Sequence, residues 1–167
     1  MHKTRQQLSL YLPNDSLNKI ESVRRVADPI QYRLIPAHIT LCREDEIEHV
    51  GGIATLAARL ANIPLKPLTL SFGSPQVFDG HGLLLSCLAG EDDFHRLREY
   101  LLGSNNIRLQ KPHITLAHPR NPKSSGNVSG VAAELPEIML MTFPTVYHIE
   151  QYEHEPWQVL NQFALQG

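Results

Sequence analysis

The sequence predicts an α+β fold: two related lobes of antiparallel sheet, with helices on their outer faces and a cleft between them. Three observations predict it. The tetrapeptide His-Ile-Thr-Leu occurs twice, at 38–41 and 113–116, each time just after a proline, and such an echo in so short a chain marks an internal duplication. Period-two apolar segments, the pattern of half-buried strands, occur in both halves. Between them lie stretches whose apolar residues recur at helical spacing, as in helices packed on a sheet.

The first strand is expected over 5–12, where Gln6, Leu8, Leu10 and Leu12 take one face and Arg5, Gln7, Ser9 and Tyr11 the other. Pro13-Asn14-Asp15 turns the chain and supplies a helix cap. Leu17, Ile20, Val23 and Ala27 then trace an amphipathic helix that Pro29 stops. Residues 30–35 and 37–43 read as extended segments broken at Pro36, and Ile47, Val50, Ala54, Ala57 and Leu60 mark a second helix ending before Pro64. The first half is thus β-α-β-β-α. In the second, 68–72 and 82–89 pair as strands around the turn-rich Asp79-Gly-His-Gly, and Phe94, Leu97 and Leu101 carry a helix that stops near Gly103. The second His-Ile-Thr-Leu strand follows. Residues 119–130 are polar and rich in breakers, a loop long enough to act as a flap. Strands over 138–143, 146–152 and 157–165 finish the chain, the last two as a hairpin across 153–156. This gives one two-lobed domain over 1–167, with halves 1–64 and 65–167 and the final strands free to cross between lobes.

Composition narrows the function. The chain has 167 residues, 42% of them apolar, enough for one core or two small lobes sharing one. A formal charge of −2 and a pI near 6.5 argue against the broad basic field that grips long duplex nucleic acid, so a nucleic-acid ligand should be short. Cys42 and Cys87 are the only cysteines and lack CxxC spacing, which suggests neither a disulfide framework nor a cysteine zinc site and fits a reduced cytoplasm. The first residues lack an apolar signal region, and no apolar run approaches the ~20 residues of a membrane span, so a soluble, unprocessed protein is expected.

On a strand, His38 and Thr40 project to one face while Ile39 and Leu41 project to the other, and His113 and Thr115 do likewise. A pseudo-twofold would bring the two imidazole–hydroxyl pairs together in a central cleft. That set suits a phosphodiester. One neutral histidine can take a proton from water or a ribose hydroxyl while the other, as imidazolium, protonates the departing oxygen. The Thr40 and Thr115 hydroxyls can donate to the non-bridging oxygens. The chemistry requires no metal and no cofactor.

Two His-x-Thr motifs in a chain of this size, each followed by an apolar residue, resemble the two-histidine phosphoesterase superfamily, and within it the groups named for bacterial 2′-5′ RNA ligase and RNA 2′,3′-cyclic phosphodiesterase. The closing stretch, Val146-Tyr-His-Ile-Glu-Gln-Tyr and Trp157-Gln-Val-Leu-Asn-Gln-Phe-Ala-Leu, is similar to the final hairpin of these proteins. The resemblance implies a bilobal pseudosymmetric fold and a catalytic tetrad of His38, Thr40, His113 and Thr115. It further implies hydrolysis of 2′,3′-cyclic phosphates on nucleotides or RNA ends, giving 2′-phosphates by analogy, with 2′-5′ ligation as the reverse reaction. Many relatives carry an arginine five residues after the second histidine; here His118 stands there, with Arg120 two positions later.

Further candidates for substrate contact are Arg120 and Arg43, which closely follow the motifs, and Tyr11, on the polar face of the first strand and able to stack on a base. Zinc held by His113 and His118 is a poor reading, because strand positions five apart point to opposite faces. Glu44-Asp45-Glu46 begins the second helix, where acidic residues favour the helix dipole. Cys42 falls on the strand face of His38 and reads as a small buried filler. The expected ligand is a nucleotide or short RNA bearing a cyclic phosphate, bound by a monomer with no protein partner. Linear 2′-5′ oligonucleotides, RNA 3′ ends and a non-catalytic nucleotide-binding role are the alternatives. Acid and base roles remain unassigned between His38 and His113.

Overall fold

A computed structural model of the chain describes residues 3–78, 82–120 and 132–166. The first half runs β1 (Thr4–Tyr11), α1 (Asn14–Ala27), α2 (Pro29–Leu34), β2 (His38–Cys42), α3 (Glu44–His49) and α4 (Ile53–Ala61). The second runs β3 (Leu68–Phe78), β4 (Gly82–Ala89), α5 (Glu91–Leu102), β5 (His113–Ala117), β6 (Met139–Phe143), β7 (Thr145–Tyr152) and β8 (Gln158–Ala164). Two antiparallel four-stranded sheets result, ordered β2-β1-β7-β8 and β5-β4-β3-β6. The α+β class and the duplicated antiparallel sheets agree with the sequence. In each sheet the motif strand is an edge, paired with the strand that precedes it through helix: β1 to β2 through α1 and α2, β4 to β5 through α5. The β7–β8 hairpin returns to the first sheet, pairing alongside β1.

Three local expectations are corrected. Residues 30–35 are not a strand: Pro29–Leu34 is a helical turn and a half, with proline in its first turn and the Asp28 carboxylate accepting from the Gln31 N–H at 3.0 Å. The single helix expected across 47–61 is two helices, because Gly51 and Gly52 take φ of 101° and 99°, a region that glycine enters without steric cost. Helix α1 has no side-chain cap; Pro13 occupies that position and its carbonyl accepts from the Leu17 N–H at 2.8 Å. The turn at 79–81, most of the loop at 119–130, and His2 and His81 lie outside the described residues.

Leu8, Leu10, Ile39 and Leu41 of the first sheet and Leu70, Phe72, Leu85, Ile114 and Leu116 of the second join the buried faces of α1, α4 and α5 in one hydrophobic cluster. The opposite, polar sheet faces carry the histidines and threonines. A bulge in the β1–β2 pairing, between Leu8 and Ser9, sets Cys42 opposite Leu8 and turns it into the core rather than beside His38. Gly82 (φ 80°) opens β4 so close to the end of β5 that an added Cβ would lie 2.0 Å from the Ala117 carbonyl oxygen. Among the described residues, no helix is long and apolar enough to cross a membrane.

Candidate active site

The edge strands β2 and β5 lie against each other, and this contact brings the two motifs together. Their local geometry is the same. The His38 Nδ1 lies 2.9 Å from the Pro36 carbonyl oxygen and the His113 Nδ1 lies 3.1 Å from that of Lys111, in each case the residue two positions earlier. A carbonyl can only accept, so both Nδ1 atoms carry the proton and donate it, and both Nε2 atoms are left to accept a proton or deliver one. The proline beside each motif thus belongs to a short entry segment that supplies the carbonyl setting the ring.

His38, Thr40 and Thr115 line a cleft of about 410 Å³, together with Arg24, His118 and Arg120. Burial pushes the His38 imidazole down to about 4; the Pro36 carbonyl opposes this, while the Arg24 guanidinium and His113 add to it. His38 is therefore neutral at pH 7. Arg24 is buried on α1, where its guanidinium pairs with Glu21 and donates to the Ile35 carbonyl at 2.9 Å. Glu21 in turn accepts from the Ala37 N–H at 2.9 Å. These bonds clamp both sides of Pro36 and so fix the carbonyl that orients His38.

A second tie crosses between the lobes. The buried Asp28 carboxylate, besides capping α2, accepts from the His118 backbone N–H at 2.8 Å and fixes the end of β5 against the α1–α2 corner. The His118 Nδ1 accepts from the Arg120 N–H at 3.2 Å, which leaves its other nitrogen as the donor. Burial and then Arg120 lower the His118 pKa, with Asp28 opposing. Gln110 Nε2 donates to the Thr40 carbonyl at 2.6 Å, joining the entry of the second motif to the first motif strand.

Of the residues singled out in the sequence, His38, Thr40, Thr115 and Arg120 share the cleft. His113 stands beside it, close enough for its charge to act on His38. Arg43 does not line the cleft; it begins α3, exposed, with its guanidinium 3.4 Å from Asp45. Tyr11 pairs with His38 across the β1–β2 ladder and shares its face, but its ring packs against Tyr147 with centroids 4.8 Å apart rather than lining the cleft. Burial, aided by Tyr147, pushes the Tyr11 hydroxyl up to about 12. The sequence reading missed Arg5, Arg24, Asp28 and Trp157, all of which line the cleft. Only Arg24 left a trace: a charge on the buried stripe of α1, three residues after Glu21.

Fold and site together define a class: two antiparallel lobes that present His-x-Thr pairs from facing edge strands. Solved structures of the same fold exist. E. coli LigT complexed with NADP+ is 15% identical over 100% of both chains, with a TM-score of 0.61. LigT complexed with 3'-AMP is 16% identical over 98% of this chain and 99% of that one, with a TM-score of 0.63. A phosphoesterase crystal structure is 15% identical over the same shares, also with a TM-score of 0.63. The chain has the fold of these LigT and phosphoesterase structures over its whole length, the fold that the resemblance of the motifs implied. No protein-family model matches the chain, and no curated protein sequence does.

Proposed function

We propose that this protein is a metal-independent phosphodiesterase that hydrolyses 2′,3′-cyclic phosphates of nucleotides or short RNA ends to 2′-phosphates. The observation that carries the reading is the pair of identically tethered histidines, each with Nδ1 on the carbonyl two residues back and Nε2 available for proton transfer. A site that only binds has no use for two matched acid–base groups. His38, held neutral, is suited to take a proton from the attacking water, and His113 to give one to the leaving ribose 3′-oxygen. The bond from phosphorus to the 3′-oxygen breaks as that from phosphorus to the water oxygen forms. The Thr40 and Thr115 hydroxyls donate to the non-bridging oxygens, where charge gathers. Among the described residues, three arginines line the cleft, Arg5, Arg24 and Arg120, against the one carboxylate of Asp28, with Glu21 paired to Arg24 behind it, a balance that still favours an anion.

The test is hydrolysis of the four nucleoside 2′,3′-cyclic monophosphates and of a short RNA ending in a cyclic phosphate, with EDTA present and 2′- resolved from 3′-phosphate products. Turnover undiminished by EDTA is expected. Loss of activity to EDTA with recovery on adding zinc overturns the metal-free reading, and no turnover on any of them transfers the assignment to linear 2′-5′ oligonucleotides. The pH profile has a definite sign. A base must be neutral to act, so kcat/KM, which reports the free enzyme, should fall as pH drops through about 4 and not near the ordinary histidine value of 6.5. An acid limb near 6.5 overturns the lowered His38 value, and its disappearance in His38→Ala decides whether the limb belongs to His38.

A further inference from the structure

We propose that Arg5 and Trp157 form the wall of the cleft that recognises the nucleobase of the substrate. The inference rests on the phosphodiesterase reading, since it places a ribonucleotide in this cleft. Both side chains line the space that holds His38 and Thr40. The Arg5 guanidinium carbon lies over the indole ring, 5.4 Å from its centroid, within the range of a cation–π contact. Each partner is held from behind. Arg5 donates to the Gln151 side-chain carbonyl, and Gln151, itself buried, donates to the Glu155 carbonyl at 2.9 Å across the β7–β8 turn. The Trp157 backbone N–H donates to the Leu34 carbonyl at 2.8 Å, which pins the hairpin to the end of α2.

A half-buried tryptophan is ordinarily explained by core packing, but Trp157 is absent from the hydrophobic cluster and from the apolar side chains packed against it. It stands instead at a polar, cationic cleft, with a guanidinium beside its ring. Indole and guanidinium planes are the two surfaces on which bases stack, and these are ordered before any ligand arrives, so less side-chain entropy is lost on binding. Tyr11, the aromatic residue that strand alternation suggested for this task, packs against Tyr147 and does not line the cleft.

Trp157 is the only tryptophan in the chain, so its emission reports on this wall alone. Adenosine 2′-monophosphate titrated into the full-length protein should quench that emission saturably, and ribose 5-phosphate, which lacks the base, should not. In kinetics, Trp157→Ala should raise KM for adenosine 2′,3′-cyclic monophosphate about 5- to 100-fold with little change in kcat. It should leave glycerol 1,2-cyclic phosphate, which has no base, unaffected. Trp157→Phe should retain most of the affinity. No quenching by the nucleotide, or an equal rise in KM for both cyclic substrates, overturns the proposal; the second result marks a purely structural tryptophan. Quenching by the nucleotide without hydrolysis of either cyclic substrate by the unmodified protein supports the base wall while the phosphodiesterase reading fails.

Discussion

Alanine at His38 or at His113 is expected to lower kcat/KM on a nucleoside 2′,3′-cyclic phosphate by about 10²–10⁴-fold, the usual cost of a lost general acid or base. The fold should survive either change. Each ring is half-buried on the polar face of an edge strand, outside the hydrophobic cluster, and the Pro36 or Lys111 carbonyl it releases can accept from water instead. The two variants should part company on a substrate that needs no acid. With a nitrophenolate leaving group, the departing oxygen leaves unprotonated, so His113→Ala should recover most of its lost rate while His38→Ala stays slow. The opposite pattern exchanges the roles; near-normal turnover of the cyclic nucleotide by either variant removes that histidine from the chemistry. Because the two act as a unit, the double variant should be little slower than the worse single one. On the proposed mechanism Thr40 and Thr115 would join the same unit through the charge that builds on the phosphoryl oxygens.

The elements legible in the sequence were those whose pattern is local. Alternation fixed β1 and the motif strands, and the helical spacing of Phe94, Leu97 and Leu101 gave α5 with its end at Gly103, where φ is 66°. Residues 30–35 were misread because six residues between two prolines hold too few turns to show a helical period; what makes them helical is the Asp28 cap together with the proline at the start. Cys42 was misplaced because strict alternation has no means of anticipating the bulge beside Leu8. Of the site, the motif residues were visible because their spacing on a strand decides which way they point. Arg24, Asp28 and Trp157 were not, since each owes its place to an element distant in sequence: Asp28 to the end of β5, Trp157 to α2, and Arg24 to the entry of β2.

Replacing Arg98 by methionine should cost about 3–5 kcal/mol of stability, the penalty for removing one partner of a buried ion pair. In a domain of this size that lowers the melting temperature by roughly 6–20 °C. The Arg98 side chain is wholly buried on α5, where it donates to both oxygens of Glu46 at 3.1 and 2.6 Å and to the Arg108 carbonyl at 3.2 Å. It also donates to the Leu41 carbonyl on β2. One guanidinium therefore joins the helix of the second lobe to the first motif strand, to α3, and to the chain that leads into the second motif. Without it the Glu46 carboxylate, only 11% exposed, keeps the half-exposed Arg108 at 3.3 Å and the Arg43 backbone N–H at 3.0 Å. The cost should come from the stranded charge more than from the lost attraction, so adding Glu46→Leu to Arg98→Met should restore a large part of the stability. Acid sensitivity provides a separate check. Burial raises the Glu46 pKa, but the bond to Arg98 and its other partners outweigh this and hold it below the usual carboxylate value. The stability it contributes is thus present above its unfolded pKa of about 4.5 and lost as pH falls through the lower folded value. The double variant, lacking that carboxylate, should unfold less steeply below pH 4.5 than the unmodified protein. An Arg98→Met protein that melts within 2 °C of the original would show that the lobes are held by their shared apolar core, with the ion pair contributing nothing.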